Sequence, residues 1–196
     1  MSLQLKKIIK NIYLSVVYRV FKLFPICKGR VIFSSYYGRQ YSGDPKALYQ
    51  TLIENNYPKS IVWVINSDIS EEISKHSTVV SRYSIFHLYY LATSEFRIDN
   101  CQESSLLNPR DEMTYIQTWH GTPIKKIAQD VPGNHMSDLK SDWLADAKSW
   151  DFLLCPSEQV ATLLCNAFQI DSNKAMILGN PRNDILLKQD SNAVVN

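Results

Sequence analysis

Cysteine is scarce in this 196-residue chain: four residues, Cys27, Cys101, Cys155 and Cys165. None forms a C-x-x-C pair and none stands at zinc-type spacing from a histidine. That excludes a zinc ribbon or a thioredoxin-type redox motif, and no metal site is expected. Scattered, apolar-flanked cysteines read as reduced core thiols. Glycine is scarce too, with six residues beside eight prolines, which excludes collagen-like and linker character. No glycine-rich fingerprint follows the first strand candidate, which argues against an ordinary Rossmann-type sugar-nucleotide enzyme. Acidic residues are missing from the amino terminus. The first is Asp44, and eight basic residues precede it: Lys6, Lys7, Lys10, Arg19, Lys22, Lys28, Arg30 and Arg39. The net charge of +2 therefore hides a basic segment on a mildly acidic body, and no nucleic-acid partner is expected. What is present is ordinary globular material, 45% apolar and 20% charged, enough to build a core.

Long apolar runs are also absent. Residues 3–24 read LQLKKIIKNIYLSVVYRVFKLF, and the longest uncharged run between Lys10 and Arg19 is Asn11–Tyr18. A membrane-crossing helix needs about 20 mostly apolar residues, so a span is not expected. Arg19 and Lys22 interrupt the stretch, which also argues against a secretory signal. Polar residues recur at Gln4, Lys7, Asn11, Ser15, Arg19 and Lys22, one stripe of a helix. The remaining circumference is apolar, and Pro25 limits the helix. This pattern predicts a basic amphipathic helix lying on an anionic membrane surface. The competing reading packs the same helix on its own domain or a partner.

Beyond it, strand and helix patterns alternate. Strands are expected at Arg30–Tyr36, Ser60–Ile65, Ser77–Ser81, Phe96–Asp99, Tyr115–Trp119, Asp151–Leu154 and Ala175–Leu178. Helices are expected at Pro45–Asn55, Ser84–Ala92, Leu139–Trp150 and Glu158–Phe168. Asp44 reads as the cap of the first of these, with Pro45 at its first position. Alternation of this kind predicts an α/β fold with a Rossmann-like parallel sheet. The loops Gln102–Met113 and Gln129–Asp138 are polar, and Gly38 and Gly43 suggest a flexible lid near Tyr36, Tyr37 and Tyr41, which could line a groove. His76, His87 and His135 share no spacing; His87 on an apolar helix reads as a core histidine.

The chemistry concentrates at Y-I-Q-T-W-H-G-T-P-I-K-K-I, Tyr115–Ile127. His120-Gly121 reads as a turn at the carboxyl end of a strand, where open α/β sheets bind ligands. Thr122 and Pro123 read as the cap and first residue of a following helix, whose amino terminus would offer an anion site. Gly121 leaves room at the backbone, and Lys125 and Lys126 add positive charge. Asp130 lies about two turns on if that helix continues. An imidazole beside a phosphate site suits the attack of a hydroxyl on phosphorus. Arg182, Asn183 and Asp184 follow the last strand candidate and read either as a phosphate or hinge element, or as a cap with a local Arg–Asp pair.

The run QTWHGTPIKKIAQD, Gln117–Asp130, resembles the signature of the CDP-glycerol glycerophosphotransferase family, whose members build teichoic-acid backbones. SGDPKALYQTL, Ser42–Leu52, resembles that family's "NPKA" helix start, with Asp44 where Asn is usual. GNPRND, Gly179–Asp184, resembles its "GxPRND" segment, with Asn180 where Tyr is frequent. Arg97 and Asn100-Cys101 fit the run before the histidine motif, and the resemblance extends over about Val31–Leu187.

The resemblance implies the N-terminal half of a glycosyltransferase-B-like fold, preceded here by the amphipathic helix of residues 1–28. Residues 29–187 would form the acceptor-side domain, with 188–196 a polar tail or the start of a linker. His120 would be the general base on an acceptor hydroxyl. Gly121, Thr122, Lys125, Lys126, Asp130, Arg182, Asn183 and Asp184 would contact acceptor or phosphate. No cofactor is implied beyond CDP-glycerol as donor, bound mainly by a C-terminal domain expected to be missing from this chain, as in a truncated or split enzyme. The acceptor would be a polyprenyl-linked saccharide or polyol phosphate at the cytoplasmic membrane face. The alternatives are a non-catalytic membrane and acceptor-binding fragment, paired or not with a separate C-terminal half, or a CDP-ribitol-using relative.

Overall fold

The computed structural model describes residues 2–66, 71–133 and 137–188. Its framework is a seven-stranded, all-parallel sheet in the order β3-β2-β1-β4-β5-β6-β7. The strands are β1 (Cys27–Ser34), β2 (Ile61–Val64), β3 (Thr78–Val80), β4 (Ser94–Asp99), β5 (Thr114–Gln117), β6 (Phe152–Cys155) and β7 (Ala175–Ile177). The helices are α1 (Leu3–Phe21), α2 (Gly43–Glu54), α3 (Glu71–His76), α4 (Ile85–Thr93), α5 (Ser137–Lys148), α6 (Glu158–Phe168) and α7 (Ile185–Lys188). Every expected strand has its counterpart, and so does every expected helix except the one after His120-Gly121. Of the expected tail 188–196, Lys188 ends α7 and 189–196 lie outside the described residues, as do His135 and part of the Gln129–Asp138 loop.

The period-two alternation of side chains sorts the core into two faces. Val31, Phe33, Ile61 and Trp63 turn to one face, where they meet Tyr49 of α2 and Ile73 of α3. Phe33 and Trp63, register partners in β1 and β2, stack at 5.2 Å. Ile32, Val62 and Val64 turn to the other face and pack under Leu88 and Leu91 of α4 and Leu14 and Tyr18 of α1. A third cluster joins β5 and β6 to α6 around Trp119, Trp150 and Phe168. Helix ends follow local chemistry: the hydroxyls of Ser84 and Ser157 accept from the amides of His87 and Val160. Among the described side chains of α3, Ile73 is buried in the core.

Helix α1 is docked, and this divides the apolar circumference assigned to the membrane. Leu14 and Tyr18 are buried, with Tyr13, Val17 and Phe21 packed beside them. The Tyr13 hydroxyl donates to the Tyr83 carbonyl (3.1 Å), and that of Tyr18 to the Asn108 carbonyl (3.1 Å). A second apolar stripe, Leu5, Ile8, Ile9, Ile12, Val16 and Val20, stays about half exposed or more. Three stripes therefore run along the helix: one docked, one polar, one apolar and open.

The strand order reverses between β1 and β4, so the crevice of the switch point opens at their carboxyl ends. β1 stops at Ser34, short of the expected Tyr36. Tyr36 and Tyr37 instead adopt left-handed conformations (φ 46° and 61°) that turn the chain across the crevice. Gly38 is buried and bonded at both its amide and its carbonyl, a fixed turn where a flexible lid was expected.

Candidate functional site

The site is assembled from the chain segments leaving β1, β4, β5 and β7. Tyr36, after β1, donates its backbone N–H to Asn100 Oδ1 after β4 (2.8 Å). The Asn100 amide in turn donates to Ser35 Oγ (3.2 Å), which closes the crevice floor. After β5, Thr118 N–H donates to the Asp99 carbonyl (2.9 Å) and Trp119 N–H to Gln117 Oε1 (2.9 Å). Trp119 is left-handed (φ 53°) and only 6% exposed. Its indole packs edge-on against Phe168 at 4.9 Å. His120 stacks on its outer side, with ring centroids 4.2 Å apart and planes 25° apart. The Tyr36 ring stands 6.2 Å away. Bulky residues at positive φ are costly, and such strain concentrates at functional sites. Here it gathers at Tyr36, Tyr37 and Trp119, around the expected imidazole.

His120 is exposed at the crevice mouth. The atoms around it still desolvate the ring, and the Arg182 guanidinium lies nearby. Both effects, desolvation first, hold the imidazole below the ordinary histidine range. Gly121 faces open space: a Cβ there would meet no heavy atom within 4 Å.

The expected helix after His120-Gly121 does not form. Residues 121–127 are irregular, and only a single 3-10 turn, Ala128–Asp130, follows. In this loop Ile124 is 99% exposed, while Ile127 and Ala128 reach the core cluster around Trp119. Thr122 and Pro123 therefore cap nothing, and the helix-terminus anion site is withdrawn. Thr122, Lys125, Lys126 and Asp130 are exposed along this loop and its turn, with no helical face to gather them. Asp44 is likewise not a side-chain cap: α2 begins one residue earlier, and the Asp44 carboxylate points elsewhere.

It points to Arg182. The Arg182 backbone N–H donates to Asp44 Oδ1 (2.9 Å), and its guanidinium lies 3.7 Å from Asp44 Oδ2 and 3.2 Å from the His120 carbonyl. This long-range pair replaces the local Arg–Asp pair allowed by the sequence. Asn183 and Asp184 are exposed on the same turn. Sequence reasoning saw Asp44, His120 and Arg182 in separate motifs but not that they touch. The sequence marks Tyr36 as a groove residue and Asn100 as part of the run before the histidine motif, but not the bond between them.

Beneath the crevice lies a buried polar core. Arg97 sits over the Tyr115 ring at 4.1 Å, 3.4 Å from Asp99 and 4.0 Å from Glu103. Arg82 also pairs with Glu103, and His87 is buried nearby as expected. A cavity of about 440 Å³ between α2 and the 181–185 segment, lined by Lys46, Gln50 and Arg182 among others, adjoins the site. A larger one of about 630 Å³ lies away from His120, around Asn108, Arg110 and Lys148.

A Rossmann-like parallel sheet with an exposed histidine at its switch-point end defines the class: an α/β domain whose ligand site lies at the carboxyl ends of its strands. A sequence model of CDP-glycerol:poly(glycerophosphate) glycerophosphotransferase matches residues 16–196, and the chain belongs to that family. It is 34% identical over 95% of its length to a teichoic acid poly(glycerol phosphate) polymerase of Bacillus spizizenii, covering 49% of that protein. It is 29% identical over 93% of its length to a teichoic acid glycerol-phosphate transferase of Staphylococcus aureus, again covering 49%. The chain thus spans about half the length of these two curated relatives. A solved structure of the wall teichoic acid polymerase TagF superposes with a TM-score of 0.82 at 25% identity, over 97% of this chain and 48% of that one. Among the described residues, no helix is long and apolar enough to cross a membrane.

Proposed function

We propose that this chain supplies the acceptor side of a glycerophosphotransferase that extends a teichoic-acid or related polymer from CDP-glycerol. The observation that carries the reading is the exposed His120 held at the switch-point crevice. In the proposed step, a glycerol hydroxyl of the acceptor attacks the glycerol-bearing phosphorus of CDP-glycerol. The new O–P bond forms as the P–O bond to CMP breaks, CMP leaves, and the hydroxyl proton passes to the His120 imidazole. Gly121 leaves the approach open. Arg182, Lys125 and Lys126 supply positive charge near a phosphorylated acceptor. The cytidine is held mainly outside this chain, by a C-terminal half such as its relatives possess.

The acceptor is proposed to be polyprenyl-linked and presented at the cytoplasmic membrane face, and α1 to rest on that surface. Its open apolar stripe, flanked by Lys6, Lys7, Lys10 and Arg19, fits an anionic interface.

The test supplies CDP-glycerol and a lipid-linked glycerol phosphate acceptor to the chain, alone and together with the C-terminal half of the Bacillus spizizenii relative. CMP release is expected only with both halves, and His120→Asn is expected to abolish it. Release that persists in His120→Asn would falsify the base assignment. Acceptor binding without CMP release in any combination would favour the non-catalytic fragment instead.

A further inference from the structure

Three stretches distant in sequence meet at one side chain. Asp44 lies in the first turn of α2, 1% exposed. A buried carboxylate is costly unless paired and hydrogen-bonded. Its partner, Arg182, arrives from 138 residues further along the chain. The Arg182 backbone amide, not only its charge, is engaged, so Asp44 fixes the main chain of the 181–183 turn. That turn is closed by bonds from Asn183 N–H to the Asn180 carbonyl (2.8 Å) and from Asp184 N–H to the Pro181 carbonyl (3.1 Å). From it the guanidinium reaches the His120 carbonyl. Residues 121–127 belong to no helix or strand, so the backbone carrying the imidazole has little else to hold it on that side.

We propose that Asp44 and Arg182 act as a positioning pair: Asp44 anchors the Arg182 backbone, and the anchored guanidinium holds the main chain at His120 so that the imidazole keeps its place at the crevice mouth. Neither residue is assigned contact with the reacting atoms. The purpose of the pair rests on the proposed role of His120; its existence does not. The charged and titratable groups that the structure sets around the ring are Arg182 on its turn, Tyr36 after β1 and, behind Arg182, Asp44 with Asp184 adding its charge. Arg182 lowers the His120 pKa, so the ring reports whether the guanidinium is in place.

The test is an NMR pH titration of the histidine ring protons in the full chain. The His120 signal is the one missing from His120→Gln. In Arg182→Gln it should titrate at higher pH than in the wild type, with the Gly121 amide resonance displaced. Asp44→Ala should reproduce both changes, because the unanchored guanidinium leaves the ring. Asp44→Asn should follow the wild type, since its amide oxygen still accepts from the Arg182 N–H. An unmoved or downward-shifted His120 in Asp44→Ala overturns the proposal, as does an Asp44→Asn that behaves like Arg182→Gln. If Asp44→Ala does not fold, Arg182→Gln on its surface turn decides, and an unmoved resonance there overturns the pair. The titration needs neither donor nor acceptor. A chain that shows the expected shifts but releases no CMP with both halves present would therefore sink the function and leave the pair standing.

Discussion

Trp119 and His120 stack at 4.2 Å, one ring buried and the other exposed, although they are neighbours in the chain. Adjacent side chains in a strand point to opposite faces. The left-handed turn at Trp119 defeats that alternation and lays the imidazole on the indole. The anchor is hydrophobic: Trp119 is wedged against Phe168 and lies 6.5 Å from Trp150.

Trp119→Ala should therefore destabilise the chain by about 3–5 kcal/mol, the usual cost of emptying a large aromatic site. Urea denaturation measures it. A loss under about 1 kcal/mol would mean the indole is not the platform described, since surface aromatics cost about that little.

His87 gives the pH prediction. It is 2% exposed, its Nδ1 accepts from the Tyr83 amide (3.0 Å), and burial depresses its pKa to about 4, against the raising effect of Glu103. The native state refuses a proton that the unfolded chain takes near pH 6.5. His87 therefore costs no stability above that pH, and its penalty grows as pH falls from 6.5 towards 4. Asp99 and Asp146 act in the opposite sense, because burial raises their pKa values to about 6 and about 7. They bind protons more readily when folded, so their penalty appears as pH rises and disappears as it falls. The His87 contribution must therefore be isolated as a difference. Wild type minus His87→Asn, measured by urea denaturation, should decline by about 1.4 kcal/mol per pH unit within that window. A flat difference would show that His87 is protonated in the folded chain.

The sequence displayed most of the framework because the framework is written in periodicity. β2 is an unbroken apolar run buried on both faces, and α6 repeats its apolar residues at helical spacing. An element as short as the six-residue α3 leaves no such trace. The site was half legible. The place of His120 at the crevice mouth is legible because an imidazole at a strand end is a chemical signal in itself. Its surroundings are not, because Thr-Pro reads as a helix start, yet residues 121–127 form an irregular loop that leaves Ile124 exposed. Asp44 is the sharper case. Its position invited a capping role, yet its partner lies in another motif, and no local rule pairs residues across a sheet.

The same limit applies to α1, where sequence offered membrane contact or docking as rivals and the structure shows one stripe docked and another apolar stripe open. That separation allows a test without deleting the helix, which would expose Leu88, Leu91 and Ile32 beneath it. Ile12→Glu with Val16→Glu alters only the open stripe, where both residues are more than half exposed. The double variant should keep wild-type stability to within about 1 kcal/mol. It should no longer float with anionic phospholipid vesicles, because two carboxylates meet both the acyl boundary and the negative surface unfavourably. Leu14→Ala tests the docked stripe: buried at 2% exposure, it should lose about 2–5 kcal/mol in urea denaturation. At temperatures where it stays folded, its vesicle binding should be intact. Flotation of the double glutamate variant equal to that of the wild type would reject the membrane role of this stripe, and loss of flotation in folded Leu14→Ala would show that the two stripes do not act separately.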